Sequence, residues 1–408
     1  MLRAFYSCER GNFATIFALS AVPILVALAG AVDYTMTSLK ASEVQSALDA
    51  SALAIATKYY SGMSYTELAT LGEDHFRANA NLTGAANFTY VKPGSTSDAA
   101  LATDPATDKV TVKASFTHQG MLRDMQIWKA TRLSVVELSQ GKPACFLSLD
   151  KHASESVKLQ GTTDVDLKGC VLASNSDAGD SVSRGGSAKL KAECVSTVGG
   201  TEGLSPGGLT DLECLSPRVH QYPARDPLAN VTPPVYTGCK NVPGGKTKTL
   251  SPGTYCNETF SGEITLQPGT YILRGGQIKL GGNGTLTGLG VTIFLMENAS
   301  ITLNANQVIK LSPPETGPYA GITIYQAKGN TNALLLNGGS GSTITGFIYA
   351  PDAHINFTGN SAMAGAGECV RVVGDTIEMT GTSNVSTDCA KALGGRTMYA
   401  GGYMAIVR

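Results

Sequence analysis

Uncharged, mostly apolar residues fill the chain from Phe13 to Val32, and the nearest charges on either side are Arg10 and Asp33. At a helical rise of ~1.5 Å per residue the run spans about 30 Å, the hydrocarbon thickness of a bilayer, and predicts one membrane-crossing helix with Pro23 inside it. Arg3 and Arg10 precede the run, and the next cation is Lys40. The positive-inside bias therefore leaves residues 1–12 in the cytoplasm and exports everything after Asp33. A competing pattern is a cleaved secretory signal with Ala27-Leu28-Ala29 as its small-residue site. Beyond Asp33 the spacing changes: Ala41, Val44, Leu48, Ala52, Ile55 and Tyr59 recur every three or four residues through a stretch free of Gly and Pro. That spacing draws one apolar stripe down one helix face. Span (13–32) and amphipathic helix (33–60) thus predict a single rod ~70 Å long.

From 61 to 140 the pattern predicts a small connecting domain. "YTELATLGEDHFRANANL" reads as a second short helix, and "NFTYV", "KVTVKASF" and "TRLSVVEL" alternate apolar with polar residues as half-buried strands do. A loop joins them between Val91 and Asp108. After Lys142 helical periodicity disappears, Gly becomes dense, and short β-rich runs recur at fixed offsets. "SVKLQGTTDVDL" and "SVSRGGSAKLKA" superpose, matching Val157 with Val182, Gly161 with Gly186 and Val165 with Leu190. Tyr325 recurs as Tyr349, Gly338 as Gly359 and Gly381, and, at a shorter interval, "LSPGTY" as "LQPGTY". The longer offsets, each roughly 20 to 25 residues, predict one turn apiece of a right-handed parallel β-solenoid over about 141–390, with 391–408 as a cap or tail. The fold class expected is α+β, one long helix and a mainly-β body. An antiparallel β-sandwich is the alternative, although near-continuous apolar strands such as "GVTIFL" suit parallel, doubly buried strands better.

Four amino-terminal elements occur in order: "RGNFATIFAL", a Pro within the span, "VDY" at its end, and "VQSALDASALAIA" beyond it. Over residues 9–57 they resemble the TadE/TadG-like proteins of bacterial Flp (Tad) pilus assembly. Smaller members of that family resemble pseudopilins cut after a Gly whose fifth following residue is Glu. Here Gly11 is followed at that place by Ile16, which favours the larger, TadG-like branch with an uncut anchor. The resemblance implies a non-enzymatic inner-membrane component, amino terminus cytoplasmic and body periplasmic, whose partners are the membrane and other pilus-assembly proteins or pilin subunits. Some TadG-like proteins carry a von Willebrand A-type metal site beginning Asp-x-Ser-x-Ser. The comparable Asp150 is followed by Lys151 and His152, so no metal function is carried over.

Charge narrows the partners further, since a net charge of −1 over 408 residues gives no electrostatic case for nucleic acid. Cys8 falls on the cytoplasmic side of the span. The other eight cysteines, Cys145, Cys170, Cys194, Cys214, Cys239, Cys256, Cys369 and Cys389, are an even set in an exported segment and predict up to four disulfides, sequence neighbours being the first pairs to consider. Their spacings are too wide for a zinc site.

Enzymes built on parallel β-helices need paired carboxylates, or a carboxylate with Arg or Lys, on one exposed face. Asp352, His354, Glu368, Arg371 and Asp375 are the residues to weigh. Read plainly, Asp352 is a turn residue after Pro351, and Glu368, Arg371 and Asp375 are outward and solvated. Asp164 and Asp166 begin like a calcium loop, but Lys168 stands where a third oxygen ligand is wanted. No catalytic, metal or cofactor residue is therefore assigned, and no cofactor is expected. The working surface expected is the helix face of Val44, Leu48, Ile55 and Tyr59, which either meets a partner rod or docks on the protein's own small sheet. An adhesin or glycan-binding module is the alternative function. Its mark is an exposed aromatic row, and the single Trp128 lies before the body.

Overall fold

The structure, a computed structural model, describes residues 11–59, 63–80, 86–91, 107–119, 127–139 and 141–407, apart from 237, 305, 338, 340, 359–361, 364–367, 382–383 and 389–394. Gly338, Gly359, Cys8 and Cys389 lie outside the described residues. The chain forms two compact units, Met1–Ser139 with Met404–Arg408, and Gln140–Tyr403.

In the first unit, helix α1 runs unbroken over Gly11–Lys58 with Pro23 inside it. Its amino-terminal part leaves Ile16, Phe17, Leu19, Val22, Leu25 and Leu28 more than half exposed. Helix α2, Tyr65–Asn79, starts at a capping box: Ser64 accepts from the Glu67 amide while the Glu67 carboxylate accepts from the Ser64 amide. Strands β1 (Asn87–Val91), β2 (Thr107–Gln119) and β3 (Ile127–Ser139) pair antiparallel, with Phe88 opposite Ala114 and Val112 opposite Ser134. The strand Tyr403–Val407 adds beside β3 as the fourth. Of the segment expected as a cap or tail, the last strand therefore completes this sheet, while Tyr399–Ala400 pairs with Pro143 and Lys142 at the start of the second unit.

Period-2 alternation in the sheet meets period-3.6 spacing on the helices. Val110, Val112, Ala114 and Phe116 of β2 and Val136 and Leu138 of β3 are buried with Ala41, Val44, Leu48, Ala52 and Ile55 of α1 and Leu68 and Phe76 of α2. Gly72 makes the helix approach possible, since a Cβ there would stand 2.5 Å from Ile55 Cδ1.

The second unit is built from parallel strands, and in the described pairs antiparallel strand pairing, which a sandwich requires, joins only Tyr399–Ala400 to Lys142–Ser148. Val157 pairs with Val182 and Val165 with Leu190. Tyr325 pairs with Tyr349. The shorter repeat holds where Leu250 meets Leu266, but past the Pro-Gly corner Gly253 meets Tyr271 and not Gly269, its counterpart in the repeated letters. What repeats there is the corner, while the ladder beyond it is set by the longer second strand. Both tyrosines hydrogen-bond back across their own corner, Tyr255 to the Ser251 carbonyl and Tyr271 to the Gln267 carbonyl.

One row of strands decides the architecture. Gly253–Cys256, Gly269–Arg274, Val291–Met296, Ile322–Gln326, Gly346–Phe357 and Val370–Met379 pair parallel in that order. The row then continues into the beginning of the unit: Val372 pairs with Phe146, and Lys142–Ser148 passes to Asp164–Ser174 and on to Lys189–Thr197. A second contact of the same kind sets Ile377 against Val157, and a third sets Asn384 against Asp164. The last strands of the unit thus lie on its first ones. Gly381, Gly161 and Gly186 stack across this junction, each at positive φ. A Cβ on Gly161 would stand 3.0 Å from the Gly381 carbonyl oxygen and one on Gly186 3.1 Å from that of Gly161, so a larger residue meets both strain and backbone.

Disulfides join Cys145 to Cys170, Cys194 to Cys214 and Cys239 to Cys256, all sequence neighbours. Cys369 is disulfide-bonded as well.

Candidate functional site

Of the two courses open to the helix stripe, a partner rod or the protein's own small sheet, the fold takes the second. Val44, Leu48 and Ile55 are fully buried in the first unit's own core and Tyr59 packs partly against it. The sheet supplies the apolar surface that the stripe needs, and the exposed apolar side chains of α1 run from Ile16 to Leu39.

Asp352 lies on the strand Gly346–Phe357, a correction to its reading as a turn residue, and its Oδ2 accepts from the Gly329 amide at 2.6 Å; Asp150 Oδ1 accepts from the amides of His152 and Ala153. His354 is held between Thr376 Oγ1 at 2.7 Å and Glu378 at 3.4 Å. Burial, and after it the charges of Asp150 and Asp352, push the Asp375 carboxyl above the usual carboxylate range. Glu368 is exposed as expected. Arg371 is not solvated, a correction to the sequence reading: it is 2% exposed, its guanidinium lies 5.7 Å from the Phe347 ring centroid, and Nη1 donates to the Arg396 carbonyl. Burial pulls its pKa below the usual guanidinium value. Asp164 and Asp166 sit on a strand opposite Lys189 and Lys191, and Lys168 pairs with Asp388 at 3.6 Å. That stretch is a charge ladder between neighbouring strands, with no loop to wrap a cation.

The largest organised feature went unread in the sequence. Residues 213–246 hold six of the chain's 17 prolines and only short hydrogen-bonded pieces of backbone. They cross the outer face of the parallel row as a strap. Asn175 anchors it by a reciprocal pair, Nδ2 to the Ala224 carbonyl at 2.8 Å and the Ala224 amide to Oδ1 at 2.7 Å. Leu228 is fully buried. Tyr349 Oη donates to Asp226, Tyr325 Oη to the Val231 carbonyl and Tyr319 Oη to the Thr232 carbonyl. Farther on, Arg274 lies over the Tyr236 ring at 4.4 Å and the Lys240 amide donates to the Thr254 carbonyl.

Beneath the strap is an aromatic row. Phe294 and Tyr325 have ring centroids 5.1 Å apart, and Tyr325 and Tyr349 stack at 4.8 Å. Parallel register places one ring above the next. The strap explains why these strands are apolar on both faces: "VTIFL" and "ITIYQ" are buried throughout, one side on the interior and the other under residues 224–236. Burial first and the Asp226 carboxylate second push the Tyr349 phenol far above its usual value, which keeps it a donor. Prolines crowded into a strand-poor stretch around Cys214 and Cys239 were the available signal.

Residues 230–393 match a family model described as a domain of unknown function (DUF7305), which takes in the strands from 247 to 388 and not those from 142 to 212 that complete the row. No curated protein matches the chain, and no solved structure does. Residues 11–57, the exposed apolar stretch and the buried stripe of α1, match the model described as putative Flp pilus-assembly TadE/G-like, the family that the amino-terminal residues resemble.

Proposed function

We propose that the protein is a membrane-anchored, non-enzymatic component of Flp/Tad pilus assembly. Its amino terminus is cytoplasmic, residues 13–32 cross the inner membrane, and the remainder is periplasmic. The observation that carries this reading is a single helix whose first half is apolar and exposed while its second half is buried in a folded unit, within a segment matching the pilus-assembly model. A lipid environment is what such exposed Ile, Leu, Val and Phe side chains require.

The second unit is, in this reading, a parallel β-solenoid with the right hand that crossovers between parallel strands take. In-register pairing of one turn on the next, Leu250 on Leu266 and Leu311 on Ile344, supports it. Three disulfides suit the oxidising periplasm. Its role is a rigid body presented to pilus machinery or subunits. Glycan binding gains nothing from the aromatic row, which the strap covers.

The test is the amino-terminal peptide and membrane fractionation of the mature protein in its native host. Residues 1–12 still attached, on a protein that stays with the inner membrane, are the expected result. A chain beginning at Asn12 would be a processed pseudopilin, and one beginning at Gly30 a released body, and either would overturn the anchor.

A further inference from the structure

The three disulfides whose cysteines are both described differ sharply in access, and Cys369, 7% exposed, belongs to a further one. Cys145 and Cys170 are both 0% exposed. Cys239 is exposed, and Cys214 is half-buried in an open recess of about 210 Å³ that also holds Lys142, Glu193, Cys194, Glu213 and Arg218. Thiol–disulfide exchange requires a thiolate to reach a sulfur, so access ranks the bridges.

The accessible bridges are also the ones that bound the strap. Cys214, at its start, is tied to the strand Lys189–Thr197 at one end of the row, while Cys239, towards its end, is tied to the strand Gly253–Cys256 at the other. Between them the strap meets the aromatic face through Leu228 and through hydrogen bonds to Asn175, Tyr349, Tyr325 and Tyr319. The buried bridge ties two neighbouring strands, Lys142–Ser148 and Asp164–Ser174.

We propose that Cys194–Cys214 and Cys239–Cys256 are reduced ahead of Cys145–Cys170, and that their reduction by a dithiol releases the strap between Cys214 and Cys239 from the face of Phe294, Tyr325 and Tyr349. The dithiol's thiolate attacks Sγ of Cys214 or Cys239. The S–S bond breaks, and Cys194 or Cys256 leaves as a thiolate that takes up a proton. The second thiol of the reductant then attacks the mixed disulfide, so the reductant ends as a disulfide and each protein bridge as two thiols. Two electrons and two protons pass to each bridge. The inference stands apart from the pilus reading, because it depends only on the second unit.

The full chain in membranes is treated with dithiothreitol for increasing times, alkylated and mapped by mass spectrometry, with trypsin cleavage after Arg218 and Arg225 followed in parallel. Cys194, Cys214, Cys239 and Cys256 are expected to become alkylated roughly tenfold sooner than Cys145 and Cys170, and cleavage in the strap to quicken in step. Equal labelling of these six cysteines, or of Cys145 and Cys170 first, overturns the ranking of the three bridges. Selective labelling with no quicker cleavage overturns the release. The double pair Cys194→Ser/Cys214→Ser with Cys239→Ser/Cys256→Ser should show the quick cleavage without reductant, and the wild-type time course decides the matter if that variant fails to fold.

Discussion

Tyr349 donates its phenolic hydrogen to Asp226 Oδ2 across 2.8 Å, joining parts of the chain far apart in sequence. The bond fastens the strap to the aromatic row at the point where Leu228 is buried. Tyr349→Phe keeps the ring and its stack on Tyr325 but leaves the carboxylate without this donor. A charge-assisted hydrogen bond of this kind contributes about 1.5–3 kcal/mol. Chemical denaturation should show a loss within that range and faster proteolysis between 215 and 238, and a variant as stable as wild type would remove the bond from the account of the strap.

The first unit depends on the absence of a side chain at Gly72. A Cβ there meets Ile55 Cδ1 at 2.5 Å and Phe88 Cζ at 3.1 Å. Gly72→Val overpacks the join between α1, α2 and β1, and overpacking of this sort costs about 1–3 kcal/mol. Thermal unfolding of the full chain should lose stability in the first unit only, with cleavage of the strap unchanged.

Asp375 gives the body a pH dependence of definite sign. Its folded-state pKa lies above the unfolded value, chiefly through burial, so the ionised form is disfavoured by the fold. The penalty is fully present above the folded pKa and disappears as pH falls through that value to below the ordinary Asp range, about 3.9. Asp375→Asn removes the ionisation while the carbonyl that accepts from Ser148 Oγ and the Asp150 amide remains. The variant should melt higher than wild type at pH 7 and converge with it in acid. Identical melting at neutral pH would show that the carboxylate carries no penalty.

The anchor is tested at Leu25, 63% exposed on the apolar half of α1. Arg near the centre of a span costs about 2.5–3.5 kcal/mol of insertion on the biological scale. Leu25→Arg should shift the protein out of the membrane fraction, whereas Leu25→Ile should not. Equal retention of both would place the anchoring elsewhere.

Much of this chain is written locally. Apolar length and flanking charge drew α1, and alternation marked β1 to β3, because each depends on residues within a few positions of one another. Recurring letters announced Val157 over Val182 and Tyr325 over Tyr349, since neighbouring parallel strands place like side chains in line.

What the tertiary structure alone decided is what lies across those rows. The meeting of Val372 with Phe146 joins the last strands of the second unit to its first, and no local period records it. Arg371 looks like a surface charge in the sequence, yet it is buried beside Phe347 near the Arg396 backbone, which only the returning chain brings there. The stripe of Val44, Leu48 and Ile55 was legible as a buried face with two surfaces open to it, a partner rod or the protein's own sheet, and packing chose the sheet. Periodicity tells which side of an element must leave water. Which distant segment covers that side is settled by packing, the small sheet on the stripe of α1 and the strap on the aromatic row.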